Sequence, residues 1–161
     1  QAEHLFVLLE NILSDAGKDW SDLTRIGVGV GPGNFTGIRI SVASARGLAL
    51  SLGIPAIGIS SLEVQFGGSP ILASVPAPRD QSYIQEFGAK VGNPRLVSNG
   101  EAQTLANNSS LPLSEALLAD DLVRQIARMA AVSTSTLPPA PLYIRAADAA
   151  PPRDPAPTIL P

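Results

Sequence analysis

An α/β fold is what the sequence predicts, on three observations. Residues 25–59 order themselves as strand, loop, helix and strand; a helix-period apolar pattern precedes them; two short runs of strand character follow.

The chain opens with "QAEHLFVLLENILSDAGKDW", where Leu5, Leu8, Leu9, Ile12, Leu13 and Ala16 recur at helical spacing and Gly17 supplies the stop. At ~100° per residue these positions, with Phe6, fill an arc of roughly 160°, wider than one packing stripe needs. The first helix is therefore expected to meet two neighbours. "RIGVGVG" from Arg25 reads as a short strand running into the glycine-rich "GPGNFTGIR" of residues 31–39. A second helix is expected from Thr36, as its N-cap, to Leu52, with Gly53 as its stop and a strand at 54–59. This is a βαβ unit, which favours a parallel pair of strands.

The second helix carries only Arg39 and Arg46 as charges, while Ile38, Ile40, Val42, Leu48, Leu50 and Leu52 occupy much of the rest. A helix apolar nearly all round is expected to be buried nearly all round. Its small residues Gly37, Ser41, Ala45 and Ala49 form an i, i+4 row that admits another backbone at close range.

Farther on, "PILASV" (70–75) and "SYIQEFG" (82–88) read as strands joined by the turn "APRDQ". Residues 113–132 read as a third helix with Leu118, Leu122, Ile126 and Met129 on one face. Eight of the 15 prolines lie at or after Pro138, so the remainder is expected to be an extended tail whose "LYIR" docks or adds an edge strand. No internal repeat is visible.

Composition narrows the function. The 11 Lys and Arg against 14 Asp and Glu leave a net charge of -3 with no concentrated positive stretch, poor material for gripping nucleic acid unaided. Without cysteine there is neither a disulfide framework nor a thiolate metal site. No apolar run approaches the roughly 20 residues that span a bilayer. Charged residues make up only 16%, which suggests surface covered by a partner.

The 31–39 loop invites a nucleotide, yet its residues do not fit one. A Walker loop needs Lys followed by Ser or Thr after its last glycine, and Ile38 follows Gly37 here. The dinucleotide fingerprint fails in each register, because Pro32, Asn34 and Thr36 occupy the third-glycine positions. Free N–H groups at Phe35 to Ile38 could hold an anion. The simpler reading makes Gly31, Pro32, Gly33, Asn34, Thr36 and Gly37 a structural loop that turns the strand into the helix against crowded neighbours.

His4, the only histidine, sits on the polar side of the first helix as a solvated residue, and no G-x-S-x-G elbow accompanies it. Arg79 and Asp80 form a lone charged turn. No catalytic residue, metal site or cofactor site emerges from these residues.

The stretch "IGVGVGPGNFTGIRISVASARGLALSLGIPAIGISSLE" (26–63) resembles the TsaB (YeaZ) family, whose members carry a Gly-Pro-Gly-Ser-Phe-Thr-Gly-Leu-Arg-like signature. The first helix looks like the one that precedes that signature, and "PLYIR" (141–145) with Asp148 is similar to the family's carboxyl-terminal stretch. Asn34 replaces the commoner Ser, and the family's opening strands with an Asp-Thr-Ser-like segment have no counterpart before Gln1.

The resemblance implies actin-like ATPase (ASKHA, ribonuclease H-like) lobes with the leading strands missing. Residues 1–62 would be the remainder of the first lobe, 63–137 a reduced second lobe and 138–161 the proline-rich tail. It further implies a cytoplasmic, non-catalytic subunit in the making of threonylcarbamoyladenosine beside the tRNA anticodon. A TsaD-like subunit would be catalytic, a TsaE-like ATPase the third member, and tRNA would be met through the complex. In isolation a homodimer would use a similar face.

Helix pairing would use Leu5, Leu8, Leu9 and Ile12 with Ser41, Ala45, Leu48 and Leu52. The competing readings are an independent ATPase or glycoprotease-like enzyme, for which the sequence lacks ligands, and a self-associating module.

Overall fold

A computed structural model describes residues 4–144. Gln1 and the tail from Arg145, including Asp148, lie outside the described residues.

The expected βαβ unit is present. Strand β1 (Ile26–Gly29) pairs in parallel with β2 (Ala56–Ile59), Ile26 opposite Ala56 and Gly29 opposite Ile59. Helix α2 (Phe35–Leu52) connects them and ends at Gly53 in the left-handed region (φ 66°), where glycine costs least. Side chains alternate along β1, so Val28 and Val30 meet Val42 and Ala45 of α2 on one face. On the other face Gly27 admits helix α5 (Ala119–Val132): a Cβ at Gly27 would lie 2.8 Å from Ala130 Cβ and 3.1 Å from the Ile126 carbonyl oxygen. The glycines of "IGVGVG" thus serve close packing on a strand. Ile57, Ile59, Val64, Ile126 and Ala130 form the resulting core.

A second sheet is antiparallel, in the order β3 (Ile71–Ala77), β4 (Gln81–Phe87), β5 (Arg95–Ser98). Helix α4 (Asn99–Ser109) covers one face, burying Leu72, Ile84, Val97, Ala102 and Ala106 together. Short helix α3 (Ser61–Phe66) joins the two sheets, with Val64 in the first core and Leu62 packed on Ala73 and Phe87 of the second. Its Gln65 amide brackets the backbone of Ser74, donating to the carbonyl at 2.9 Å and accepting from the N–H at 3.0 Å.

Several expectations are corrected. The third helix begins at Ala119, because residues 112–114 bond to β3 instead: Leu72 N–H donates to Pro112 O and Ser114 N–H to Leu72 O. Leu118 is consequently 75% exposed, although Leu122, Ile126 and Met129 do face the core. That helix follows the second sheet in sequence and packs on β1 and β2. Helix α4 and β5 were not legible as apolar periods, since "NGEAQTLANNS" is largely polar. A capping signal was present: Ser98 Oγ accepts from the Glu101 N–H at 3.2 Å, the S-x-x-E spacing of a helix start.

Candidate functional site

The glycine loop leaves β1 at Val30, whose N–H still pairs with Ile59 O. Gly31 has φ 101°, and a Cβ there would lie 2.7 Å from Ile38 Cδ1, so only glycine fits the bend. The Gly31–Pro32 peptide is cis. Asn34, not Thr36, is the N-cap of α2: its Oδ1 accepts from the Gly37 N–H at 2.8 Å, and its carbonyl accepts from the Ile38 N–H at 3.0 Å. Two of the four N–H groups available to an anion are therefore already committed. Thr36 is exposed.

The segment after α5 straps this loop down. Leu142 N–H donates to Val30 O at 2.8 Å, Pro139 is buried beside Gly58, and Ile144 packs with Leu62 and Phe87. Tyr143 completes an aromatic latch: its ring centroid is 5.0 Å from that of Phe35, and its hydroxyl accepts from Arg39 Nε at 3.0 Å. The Arg39 guanidinium also lies 4.3 Å from the Phe35 ring centroid, within cation–π range. "LYI" therefore docks without forming a strand.

The two helices expected to pair are α1 (Leu5–Asp15) and α2. No residue of α1 is buried. Phe6, Val7, Leu8 and Ile12 are 43%, 54%, 56% and 54% exposed, while Leu5, Leu9 and Leu13 are half-buried. Its expected second neighbour is not supplied by the described residues. Helix α2 is buried on one side alone, at Val42, Ala45 and Ala49, and Leu50 is 86% exposed. The expectation of burial all round fails within this chain, because one sheet and the strap cover only one face.

The eight residues singled out for pairing thus divide. Leu8, Ile12 and Ser41 are exposed; Leu5, Leu9, Leu48 and Leu52 are half-buried; Ala45 is 5% exposed and packs on Val28 and Val30. The small row Ala45–Ala49 accommodates the chain's own sheet. A charge at Ala45 would unfold the unit before it reported on pairing. Opposite Ala45 on the helical wheel lie Ala43, Gly47 and Leu50, all exposed, which sequence reasoning missed. The signal for them is rotational: once Val42, Ala45 and Ala49 are assigned to the parallel strands, the outward stripe follows.

His4 is exposed at the start of α1 and makes no side-chain cap bond. Among the described residues, no group of three or more His, Cys, Asp or Glu side chains comes together. No described helix is long and apolar enough to cross a membrane.

Residues 1–85, more than half of the chain, match the family model of TsaD, described as tRNA N6-adenosine threonylcarbamoyltransferase. The Escherichia coli tRNA threonylcarbamoyladenosine biosynthesis protein TsaB is 32% identical over 92 residues, covering 53% of this chain and 40% of that protein. A Buchnera aphidicola protein of the same name is 36% identical over 101 residues, covering 58% of this chain and 47% of its own length. The chain therefore spans less than half the length of these two relatives. An uncharacterized Mycobacterium tuberculosis protein is 34% identical over 167 aligned positions, covering 93% of this chain and 77% of that protein.

Among solved structures, a Pseudomonas aeruginosa protein described as similar to peptidase YeaZ superposes with a TM-score of 0.63 at 22% identity, over 89% of this chain and 84% of that one. YeaZ from the same organism gives 0.58 at 23%, over 81% of this chain. The two sheets with their covering helices are accordingly an actin-like ATPase-type fold. The match of residues 1–85 to the TsaD model, the identity to proteins named TsaB and the likeness to the YeaZ structures together place this chain in the TsaB (YeaZ) family.

Proposed function

We propose that the chain is a non-catalytic, cytoplasmic subunit in the biosynthesis of threonylcarbamoyladenosine in tRNA, pairing through α1 and α2 with a TsaD-like catalytic subunit. The observation that carries this reading is the uncovered apolar side of α1: Phe6, Val7, Leu8 and Ile12 lie about half in solvent on a helix with no buried residue. Exposed apolar patches of this kind mark protein contacts. The outward stripe of α2, with Ala43, Gly47 and Leu50, offers small residues and a leucine on which a second helix pair can lie.

In this reading the 31–37 loop is a scaffold. It seats Phe35 and Arg39 under the Tyr143 latch and so sets the direction in which α2 leaves the sheet. Chemistry belongs to the partner, a TsaE-like ATPase completes the assembly, and tRNA is met through the complex. The non-catalytic assignment rests on the side-chain inventory, one histidine and no cysteine. A homodimer of the lone chain would use the same helix faces.

Reconstitution of tRNA threonylcarbamoylation from purified components tests the proposal. Activity is expected only when this chain accompanies the TsaD-like and TsaE-like proteins. Undiminished product formation in its absence would remove the proposed role.

A further inference from the structure

The start of α4 carries a reactive pair that the helix pairing does not use. Asn99 is the one asparagine of the chain that is followed by glycine, and both residues are exposed. The following glycine matters chemically. When an asparagine side chain cyclises, the nucleophile is the next residue's backbone nitrogen, and a Cβ on that residue crowds the ring and stiffens the backbone. Gly100 has none, and nothing lies within 4 Å of where one would stand. The first N–H groups of a helix have no acceptor within it, and among the described residues that of Gly100 finds no other backbone acceptor.

Asn99 also fastens the turn between β3 and β4. Its Nδ2 donates to Asp80 Oδ1 at 2.7 Å and its N–H to the Asp80 carbonyl at 3.1 Å, while its Oδ1 accepts from the buried Ser82 hydroxyl at 2.7 Å. The turn depends on that fastening. Arg79 and Asp80 both adopt positive φ, 64° and 54°, a region that strains any residue with a Cβ. Strain of this kind favours local opening, and only an open turn frees the Asn99 amide to swing toward Gly100.

We propose that Asn99–Gly100 is a self-modification site, gated by the β3–β4 turn, at which intramolecular deamidation releases that turn irreversibly. The Gly100 nitrogen bonds to Asn99 Cγ, and Nδ2 leaves as ammonia with the proton that the Gly100 nitrogen gives up, so a succinimide ring results. Water then opens the ring. Cleavage between the nitrogen and Cγ leaves aspartate; cleavage between the nitrogen and the Asn99 carbonyl carbon leaves isoaspartate. No oxidant, reductant or cofactor enters.

Neither product restores the amide that donated to Asp80. Aspartate turns a 2.7 Å hydrogen bond into a contact between two carboxylates, which repel. Isoaspartate adds a carbon to the backbone just after Ser98, whose hydroxyl caps the helix by accepting from the Glu101 N–H at 3.2 Å. This inference stands independently of the pairing through α1 and α2.

The test is peptide mapping by mass spectrometry after the purified full chain has stood for days at neutral pH and elevated temperature below its midpoint, with isoaspartate scored by an isoaspartate methyltransferase. Conversion is expected at Asn99 well ahead of Asn107 and Asn108, which lie in the same helix. Ser82→Ala removes one hydrogen bond from the fastening and should speed conversion about fivefold, the factor one such bond contributes to an opening equilibrium. Gly100→Ala should nearly stop conversion with the thermal midpoint equal or higher, since alanine suits a helix better than glycine. Asn99→Asp should lower the midpoint and speed amide exchange across residues 79–82. Conversion of Asn107 or Asn108 as fast as Asn99, or conversion unslowed in Gly100→Ala, overturns the site. Conversion unchanged or slower in Ser82→Ala overturns the gating. An unaltered midpoint and unaltered exchange in Asn99→Asp overturn the release.

Discussion

Replacing Leu8 and Ile12 together by glutamine is expected to weaken pairing with the TsaD-like subunit while leaving the lone chain intact. Full burial of a leucine or isoleucine side chain is worth about 1.5–3 kcal/mol. These two retain 56% and 54% of their accessible surface, so each has roughly half of that gain still to realise on contact with a partner. The pair would then contribute about 1.6–3.3 kcal/mol to association, a 15- to 200-fold change in Kd at 1.4 kcal/mol per tenfold. Glutamine is nearly as good a helix former as leucine, which keeps α1 itself unchanged. Isothermal titration against the partner measures the first quantity and thermal unfolding of the isolated chain the second. Equal Kd values for variant and parent would refute the reasoning. So would a large fall in the midpoint of the lone chain, since it would mean that these side chains already pack within their own fold.

Further outcomes are expected at the frame. Asn34→Ala removes the cap on Gly37 and should cost about 1 kcal/mol of stability in chemical unfolding, whereas Thr36→Ala should stay within about 0.5 kcal/mol. Equal losses would return the cap to Thr36. Gly58→Ala places a Cβ 2.7 Å from Val30 Cγ1 and 3.2 Å from Pro139 Cα, so the midpoint should fall and amide exchange at Leu142 should speed up. Unchanged exchange there would count against the strap. The Ser21 hydroxyl and N–H, donating to Asp19 Oδ1 at 2.6 and 2.7 Å, hold that carboxyl below its ordinary pKa. Its small contribution to stability is present above the unfolded-state value and is lost as the pH falls through the folded one. Ser21→Ala should move the Asp19 titration upward toward the ordinary carboxylate range by NMR, and an unmoved titration would exclude the hydroxyl as the cause.

Much of the fold could be read from local pattern. The first helix, the strand–loop–helix–strand unit and the "PILASV"/"SYIQEFG" hairpin all have strong periodicity or punctuation, and each stands within a few residues of where it was expected. Helix α4 shows why others were missed. Its buried face consists of Ala102 and Ala106, residues too small to raise an apolar period above a polar background, although Ser98 and Glu101 mark its start. Of the residues expected to pair, Leu8 and Ile12 stand in solvent while Ala45 turns inward, because helical spacing gives the apolar arc of a helix but not the side that its own sheet takes.

Sequence alone determined the strongly patterned elements and the family, because helical period, strand alternation, glycine stops and the "GPGNFTGIR" signature are properties of neighbouring residues. Which face of each helix is covered was a tertiary decision. Ala45 and Leu50 lie on one helix, and only the position of β1 makes one of them core and leaves the other in water. The same holds for the glycines of β1, which resemble a phosphate cradle in one dimension. In three dimensions Gly27 makes room for a helix that returns from about a hundred residues away, a distance over which local pattern carries no information.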